Sequence, residues 1–505
     1  MKIFSIALNM HDHNIYDGVV HIQEERITRK KHNISRTNPH DAKPTREFFE
    51  KYFLPKYKER NNDHIIAFTY SNLGKEFTND LLENLGNFDE YFSFKPTNLW
   101  DYIFKDNVYY VDHHQSHAVY SFLSSGFSDA DILAIDGRGP LFSCIFIDKH
   151  GNIIDLTSKL SIGGFWNVIS QQLGFGYLGA GKLMGLAGYG KFNEEFDLVI
   201  KKYLETPNHK PPENFKQFMS RVSKEDIAYT LQKSTLELIK HHVLMLKTSD
   251  NICLSGGVAY NGYVNEEMTK IYKKVHVPPA IGDEGQSLGT YMHADLILNK
   301  NTHIPNVYSG PMHDIDTTIF NDLNWSLKPF DEIYKEIALD ISEGKIVGWF
   351  QGRSESGNRA LGNRSILADP RNPNIKNIIN STIKKREDFR PFAPSVMEEY
   401  YKEYFETNQP SPYMSRIVPV ISNAIPGVTH VDKTARIQTV NRNFNEKFYL
   451  LIEEFFKRTG IPMLLNTSFN CQEPIVETPE EAVNTFINTE LDVLVINNYV
   501  IRKND

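Results

Sequence analysis

The sequence predicts a mixed α/β protein of two domains, and three observations carry that reading. Apolar runs of strand length meet glycine turns and then stretches of helical spacing; two such runs fold back as hairpins, at 1–24 and 131–148; and a polar, Pro/Gly-rich segment from Asn299 to Pro311 reads as a linker. The linker sets a first domain of 1–305 and a second of 306–505.

The chain opens on Lys2–Leu8, a polar turn near Asn14–Gly18 and a return over Val19–Ile22. Its apolar start lacks the long core and small-residue cleavage site of a signal peptide and reads as a first strand. After the short apolar run Tyr109-Tyr110-Val111 comes His113-His114-Gln115-Ser116-His117. With Ser116–Phe122 helical, His113 and His117 sit one turn apart on one face and converge on a metal ion, the third ligand coming from elsewhere. Neutral imidazole suits iron, zinc or nickel; by itself the pair also fits a solvent-facing helix cap. Leu133–Gly139 and Phe142–Phe146 then form a hairpin whose bend carries Asp136, Gly137 and Gly139. Taken alone, Asp-Gly-x-Gly is more often an ordinary hairpin turn than a phosphate loop.

Residues 192–223, charged and carrying Pro207, Pro211 and Pro212, read as a surface insertion, and 225–248 as a helix through Ile227, Leu231, Leu236, Ile239 and Val243. The apolar strand at Ile252–Leu254 meets Ser255-Gly256-Gly257, a turn that lets backbone N–H groups and a helix start meet an anion. At Gly282-Asp283-Glu284-Gly285, before a helix over Ser287–Leu298, Asp283 stands at an N-cap position. The second domain begins with a helix over 330–343 and the strand Ile346–Phe350, and ends with the strand Asp492–Ile496 and Val500-Ile501. Between them 353–390 gathers Arg353, Arg359, Arg364, Arg371, Lys384, Lys385, Arg386 and Arg390 among glycines, a pattern suited to polyphosphate. Asn466-Thr467-Ser468 follows the strand Met463–Leu465 with short hydrogen-bonding side chains.

Composition bounds the function. At 505 residues, 40% hydrophobic and 23% charged, the chain has the profile of a globular protein with ample cores. A net charge of −8 argues against a nucleic-acid partner held mainly through phosphates. Three scattered cysteines, Cys144, Cys253 and Cys471, argue against a disulfide framework or a structural zinc and fit a reducing cytoplasm. No apolar run reaches the length of a membrane span, so no membrane partner is expected.

The order of several motifs resembles one family. The His pair, Asp136-Gly137-x-Gly139, Gly181–Ala187, Leu254–Ala259 and Val277–Asp283 follow His11-Asp12 and Glu24-Glu25-Arg26 with Arg29 and His32. Gly348–Arg353, Arg359–Arg371, Phe389–Pro394, Thr429–Asp432, Ala435–Val440 and Leu465–Asn470 complete the series over nearly the whole chain. This series is similar to that of the NodU/CmcH/TobZ family of O-carbamoyltransferases. The resemblance implies an actin-like, TsaD-like first domain and a YrdC-like second domain. It implies an enzyme that makes carbamoyl-adenylate from carbamoyl phosphate and Mg-ATP, then carbamoylates a hydroxyl of a sugar, nucleoside or natural-product acceptor.

It also implies roles. In the second domain Arg359, Arg390, Arg436, Asn466 and Ser468 match positions that bind carbamoyl phosphate and ATP, with His430 and Asp432 nearby. In the first, His113, His117 and Asp283 hold a divalent transition metal, iron by resemblance, with Asp136 a further ligand or the holder of a metal-bound water. Asp136, Gly137, Lys182, Gly256, Gly257 and Asp283 face the adenylate. His11, oriented by Asp12 or another carboxylate, is the candidate base for the acceptor hydroxyl. The chain departs from the family at Met10, at His13-Asn14, at Ala180 and at the short loop Cys471-Gln472-Glu473. A threonylcarbamoyl-adenylate enzyme of tRNA modification, a HypF-like maturation factor and a non-enzymatic nucleotide-binding protein are the rival readings. Acceptor identity and any homo-oligomer stay open.

Overall fold

Two sheets of one connectivity organise the first part of the chain. In the first, β1 (Lys2–Leu8) pairs antiparallel with β2 (Asn14–Tyr16), β2 with β3 (His21–Gln23), and β1 takes β4 (His64–Tyr70) in parallel on its other edge. β5 (Ile103–Lys105) and β6 (Val108–Tyr110) complete the order β3-β2-β1-β4-β6-β5. In the second, β7 (Asp131–Ile135), β8 (Cys144–Ile147) and β9 (Ile153–Asp155) form the meander, and β10 (Asn251–Ser255) and β11 (Lys274–His276) follow in parallel, giving β11-β10-β7-β8-β9. Each half is thus a three-stranded meander extended by two parallel strands. The computed structural model describes residues 1–8, 12–29, 48–70, 94–137, 142–204 and 215–503. The chain divides into two compact units, Met1–Asn306 and Val307–Asp505.

The helix that follows the last parallel strand of each half sets the geometry of the first unit. After β6, Asp112 caps the His113–Ser125 helix by accepting the N–H groups of His114 and Gln115, and Gln115 reaches back to the Asp112 N–H. Gly126 ends it in the left-handed region at φ 68°. After β11, the Gln286–Ala294 helix packs across it. A Cβ on Gly289 would stand 2.0 Å from the Ser116 carbonyl oxygen, so only glycine permits this crossing. Ser116 Oγ ties it by donating to the Gln286 carbonyl at 2.7 Å. Residues His113 to Ser121 are all buried, which leaves no solvent face and explains why no amphipathic period marks this helix.

The second unit is one nine-stranded mixed sheet. Its strands are β12 (Asn324–Leu327), β13 (Val347–Phe350), β14 (Arg364–Ala368), β15 (Ala393–Met397), β16 (Arg416–Pro419), β17 (Thr434–Val440), β18 (Met463–Ser468), β19 (Val493–Ile496) and β20 (Tyr499–Arg502), in the order β12-β20-β19-β13-β14-β18-β15-β17-β16. Only β13–β19 and β15–β17 are parallel. The Phe330–Ser342 and Glu446–Thr459 helices pack together over a core that includes Trp349, Phe350, Phe448 and Phe455.

Three sequence expectations change. The polar run at Asn14 is strand β2, not the turn; the turn lies at Asp17–Val20, where Asp17 Oδ1 accepts the N–H groups of Val19 and Val20. Asn14 tolerates a strand interior because it is buried among hydrogen-bond partners. Part of the expected surface insertion is core: the Glu194–Leu204 helix buries Phe196, Ile200 and Tyr203, with Tyr203 stacked on Phe165 at 4.2 Å. Asn466-Thr467-Ser468 continues β18 instead of following it, paired with β14 on one side and, at Asn466, with β15 on the other.

Candidate functional site

His113 and His117 occupy the first two turns of their helix, and the i,i+4 spacing brings both Nε2 atoms to one side. Two carboxylates meet them from distant segments: Asp136, just past β7, and Asp283, in a 3-10 turn after β11. Asp136 Oδ2 lies 3.0 Å from His113 Nε2 and 3.3 Å from His117 Nε2; Asp283 Oδ1 lies 3.4 Å from each. One donor atom from each of the four lies within 4.8 Å of the others. Metal–ligand bonds of about 2.0–2.2 Å place neighbouring donors roughly 3.0–3.5 Å apart, so these separations fit four ligands of one divalent ion. Two imidazoles and two carboxylates suit iron, zinc, manganese or nickel alike.

The backbone explains why these carboxylates point inward. Asp136 Oδ1 accepts the Gly137 N–H at 2.7 Å and the Gly257 N–H at 3.3 Å, which leaves Oδ2 for the histidines. Gly257 reaches that position because Gly256 adopts φ 81° and approaches β7 so closely that a Cβ would stand 2.3 Å from the Ile135 carbonyl oxygen. The Gly256 N–H donates to the Ile281 carbonyl at 2.8 Å. Both glycine N–H groups therefore have partners inside the protein, and one of them holds a candidate ligand. Asp283 does not serve as an N-cap; Gly282 precedes the 3-10 turn, and the Asp283 carboxylate turns to the imidazoles. Its carbonyl accepts from Asn14 Nδ2 at 2.7 Å, and the same amide donates to the Asp12 carbonyl at 2.7 Å.

The electrostatics follow from burial and pairing. Burial works against a charged His117, but Asp136 and Asp283 outweigh it and push the imidazole up to about 9. Burial likewise opposes ionisation of Asp136, yet His113 and His117 hold its carboxyl well below the usual range. His114 lies off the cluster with its ring edge-on to Phe142; burial and the neighbouring His113 hold it well below an ordinary imidazole. Glu284, beside Asp283, is pushed up to about 7 by burial and the charge of Asp12.

The remaining expected residues of the first unit are scattered in outcome. His11 lies outside the described residues, as do Arg138 and Gly139. Asp12 is buried in the left-handed region at φ 58°. Lys182 is half-buried on the Ala180–Leu186 helix, which packs on the Lys224–Leu246 helix. Sequence reasoning missed a buried pair next to Asp12: His13 Nδ1 lies 2.6 Å from Glu24 Oε2, both side chains wholly enclosed. The signal available was the departure from small residues at His13-Asn14.

In the second unit, strand register collects the expected residues. Alternate residues share a face, so Asn466 and Ser468 on β18 lie together, as do Arg436 and Gln438 on β17. The pairings Ala393↔Asn466 and Ser395↔Gln438 put both sets on one face. Asn466 Nδ2 donates to Ser395 Oγ at 2.9 Å, Gln438 Oε1 at 3.1 Å and the Ala360 carbonyl at 3.2 Å, which draws in the loop of Arg359. Asn466 Oδ1 is buried with no hydrogen-bond partner among the described residues. Arg390 lies on the loop into β15, 3.7 Å from Glu387; burial and the charge of Arg390 push the neighbouring Arg386 guanidinium down to about 9.

Other members of the basic cluster are committed internally. Arg364 is fully buried over the Phe350 ring at 3.4 Å and donates to the carbonyls of Gln351, Asn363 and Gly352. Arg371 pairs with both oxygens of Asp369. Lys384 is buried and donates to Ser468 Oγ at 3.1 Å and the Asn470 carbonyl at 3.0 Å. Glu355, which the sequence reading passed over, is wholly buried and accepts the N–H groups of Leu361, Asn363 and Arg364, shaping the loop after Arg359.

The comparisons with known proteins agree on a family. Residues 5–292 match the domain described as Carbamoyltransferase N-terminus and residues 338–503 the Carbamoyltransferase C-terminus. The chain is 37% identical over 440 residues to nodulation protein NolNO of Sinorhizobium fredii, covering 78% of this chain and 64% of that protein. It therefore spans just under two thirds of that relative's length. It is 35% identical over 432 residues to nodulation protein NolO of Bradyrhizobium diazoefficiens, covering 78% of this chain and 79% of that one. Among solved structures, the activator of the 2-hydroxyisocaproyl-CoA dehydratase from Clostridium difficile aligns over 59% of this chain and 97% of its own, at 12% identity and a TM-score of 0.35.

Proposed function

We propose that this chain, which belongs to the carbamoyltransferase family, makes carbamoyl-adenylate from carbamoyl phosphate and ATP in its second unit and transfers the carbamoyl group to an acceptor hydroxyl in its first. The observation that carries the reading is the convergence of His113, His117, Asp136 and Asp283 inside a doubled meander-and-parallel sheet. That doubling supports an actin-like first unit, and the boundary of the two compact units matches a division of labour between them.

Carbamoyl-adenylate is a mixed anhydride with AMP as its leaving group. Water first cleaves carbamoyl phosphate to carbamate and phosphate; a carbamate oxygen then attacks the α-phosphorus of ATP and displaces pyrophosphate, and cationic donors must hold those anions. Arg359, Arg390, Arg436, Asn466 and Ser468 are the residues we assign to that task. The crowding of Arg386 and Arg390, relieved by an anion, and the unpartnered Asn466 Oδ1 support it. The transfer needs the acceptor oxygen to attack the carbamoyl carbon, its proton to leave to a base and AMP to depart. We assign the proton to His11, next to buried Asp12 in sequence, and the enclosure of the adenylate to the turns of Gly137, Gly256 and Gly257 and to Lys182 on the Ala180–Leu186 helix. His113, His117, Asp136 and Asp283 would hold a divalent transition metal, iron being what the family resemblance suggests, which supplies Lewis-acid stabilisation of the adenylate phosphate.

The test is direct. Metal-loaded protein given Mg-ATP and carbamoyl phosphate releases pyrophosphate without added nucleic acid, and with sugar, nucleoside and natural-product alcohols yields AMP and a product heavier by one carbamoyl group. Absence of pyrophosphate release under these conditions rejects the reading. Release that depends on added tRNA favours the threonylcarbamoyl-adenylate alternative.

A further inference from the structure

A ring of contacts surrounds the four-donor cluster, and one side chain closes it. Gly257 holds Asp136 through its N–H at 3.3 Å. Three residues on, at the end of the same 3-10 turn (Gly257–Tyr260), the Tyr260 hydroxyl donates to Glu284 Oε1. Glu284 Oε1 also accepts the Gly282 N–H at 3.1 Å, so its carboxylate reaches back over Asp283 and cinches residues 282–284 into one tight turn. The glycine turn is joined to this loop a second time by the Gly256 N–H on the Ile281 carbonyl at 2.8 Å. The Gly257–Tyr260 turn, which holds Asp136 through one N–H, and the loop that carries Asp283 are thus fastened to each other at two points, one a backbone bond and the other the Tyr260 hydroxyl.

We propose that the Tyr260–Glu284 pair is a positioning brace for the metal centre, fixing the distance between the Asp136 and Asp283 carboxylates across His113 and His117. The inference rests on the reading of those four residues as metal ligands. Without the Tyr260 hydroxyl, the loop is left with the Ile281 bond to the glycine turn and the Asn14 amide on the Asp283 carbonyl, so the Asp283 carboxylate gains freedom to move relative to Asp136 Oδ2. Outer residues that orient metal ligands typically change metal affinity about 10- to 100-fold when removed. Tyr260→Phe deletes one hydroxyl and keeps the ring, so the fold is left in place while the brace is opened.

The probe is Co2+ alone, titrated into the full-length chain stripped of metal, with affinity read by calorimetry and ligand geometry by the visible absorption of the bound ion. The wild type binds about one ion per chain. Tyr260→Phe binds it about 10-fold or more weakly with an altered spectrum, while its metal-free melting temperature stays at the wild-type value. Because the two residues act as one unit, Tyr260→Phe/Glu284→Ala is no weaker than Glu284→Ala. Wild-type affinity and spectrum in Tyr260→Phe would overturn the brace, as would additive losses in the double variant. A drop in the metal-free melting temperature that accounts for the lost affinity overturns it too, in favour of a general packing role. A wild type that binds no Co2+ instead rejects the metal reading from which the brace starts.

Discussion

The candidate sites of the two units gather their residues in opposite ways. In the first unit, four donors from three distant stretches meet within 4.8 Å, and each is aimed by a backbone contact or a helix turn. In the second, the expected residues spread over one face of a sheet and its bordering loops, and much of the nearby positive charge is spent on the fold itself. A metal site requires donors at bonding distance to one point, so its geometry is legible in the protein alone. A site for phosphates and nucleotide needs donors spaced around an extended anion, so the same side chains lie apart until it binds. The lesson is that a tight cluster identifies itself, whereas a distributed one must be separated from its structural neighbours residue by residue.

The most severe way to test the tight cluster is to remove its members. His113→Ala, His117→Ala and Asp283→Ala are each expected to lose the bound ion by elemental analysis and to lose carbamoyl transfer, because each deletes one of four donors. His114→Ala, adjacent in sequence but turned toward Phe142, retains most of it. Metal retained after loss of both His113 and His117 would break the assignment.

For the distributed site the informative contrast is between arginines. Arg359→Ala and Arg390→Ala should cut pyrophosphate release by about 10²–10³-fold with the fold intact, the cost typical of losing one preorganised donor. Arg364→Ala should behave differently. Its guanidinium is buried on Phe350, bonds four carbonyls and lies 3.8 Å from the buried Glu477 carboxylate, so removal strands that charge and costs about 3–5 kcal/mol of stability. If Arg364→Ala melts normally, or Arg359→Ala and Arg390→Ala both turn over at the wild-type rate, the sorting of the basic cluster is wrong.

A third test addresses how the tight cluster is assembled. Gly289→Ala places a methyl against the Ser116 carbonyl where the two helices cross, and should destabilise the first unit by about 1–3 kcal/mol. Denaturant unfolding followed by hydrogen exchange of 113–125 and 286–294 reads the effect. An unchanged midpoint would mean the crossing relaxes and does not fix the histidines.

What the sequence made legible follows the same division. The one-turn spacing of the His pair and the hairpin that carries Asp136 are local patterns, a 3.6-residue period and a turn; a metal role for Asp136 comes from resemblance. Asp283 as a ligand came from resemblance; its local pattern pointed to an N-cap, whereas its carboxylate lies 3.4 Å from both imidazoles. Asn14, Glu284 and Tyr260 were not readable as a network, since their partners lie far away in sequence. In the second unit the count of basic residues was visible, but which of them bond carbonyls depends on register and packing. Asn466 looked like the end of a turn because polar residues in a central strand are uncommon; its pairing with β14 and β15 reveals it as interior.

The smallest expected effect comes from a histidine just outside the cluster, on the helix that carries Gly289. His293 is fully buried, with Nδ1 2.8 Å from the Tyr109 hydroxyl and Nε2 3.2 Å from the Leu99 carbonyl. That pairing suits the neutral ring, which donates to Leu99 and accepts from Tyr109. Burial outweighs the favourable charge of Asp101 and pushes the imidazole down to about 4. Since an unfolded histidine titrates near 6.5, the unfolded chain binds the extra proton first on acidification. The stability tied to neutral His293 is therefore present above about pH 6.5 and lost as pH falls toward 4, by up to about 3 kcal/mol. Glu284, pushed up to about 7, works in the other direction over part of this window, because its folded form gains a proton first as pH falls. The two partly cancel in the wild type, so the difference between wild type and His293→Gln is the quantity to measure. Chemical unfolding at intervals from pH 7 to 4 should show a shallower acid loss in the variant. Parallel curves for the two proteins would remove His293 as a source of acid sensitivity.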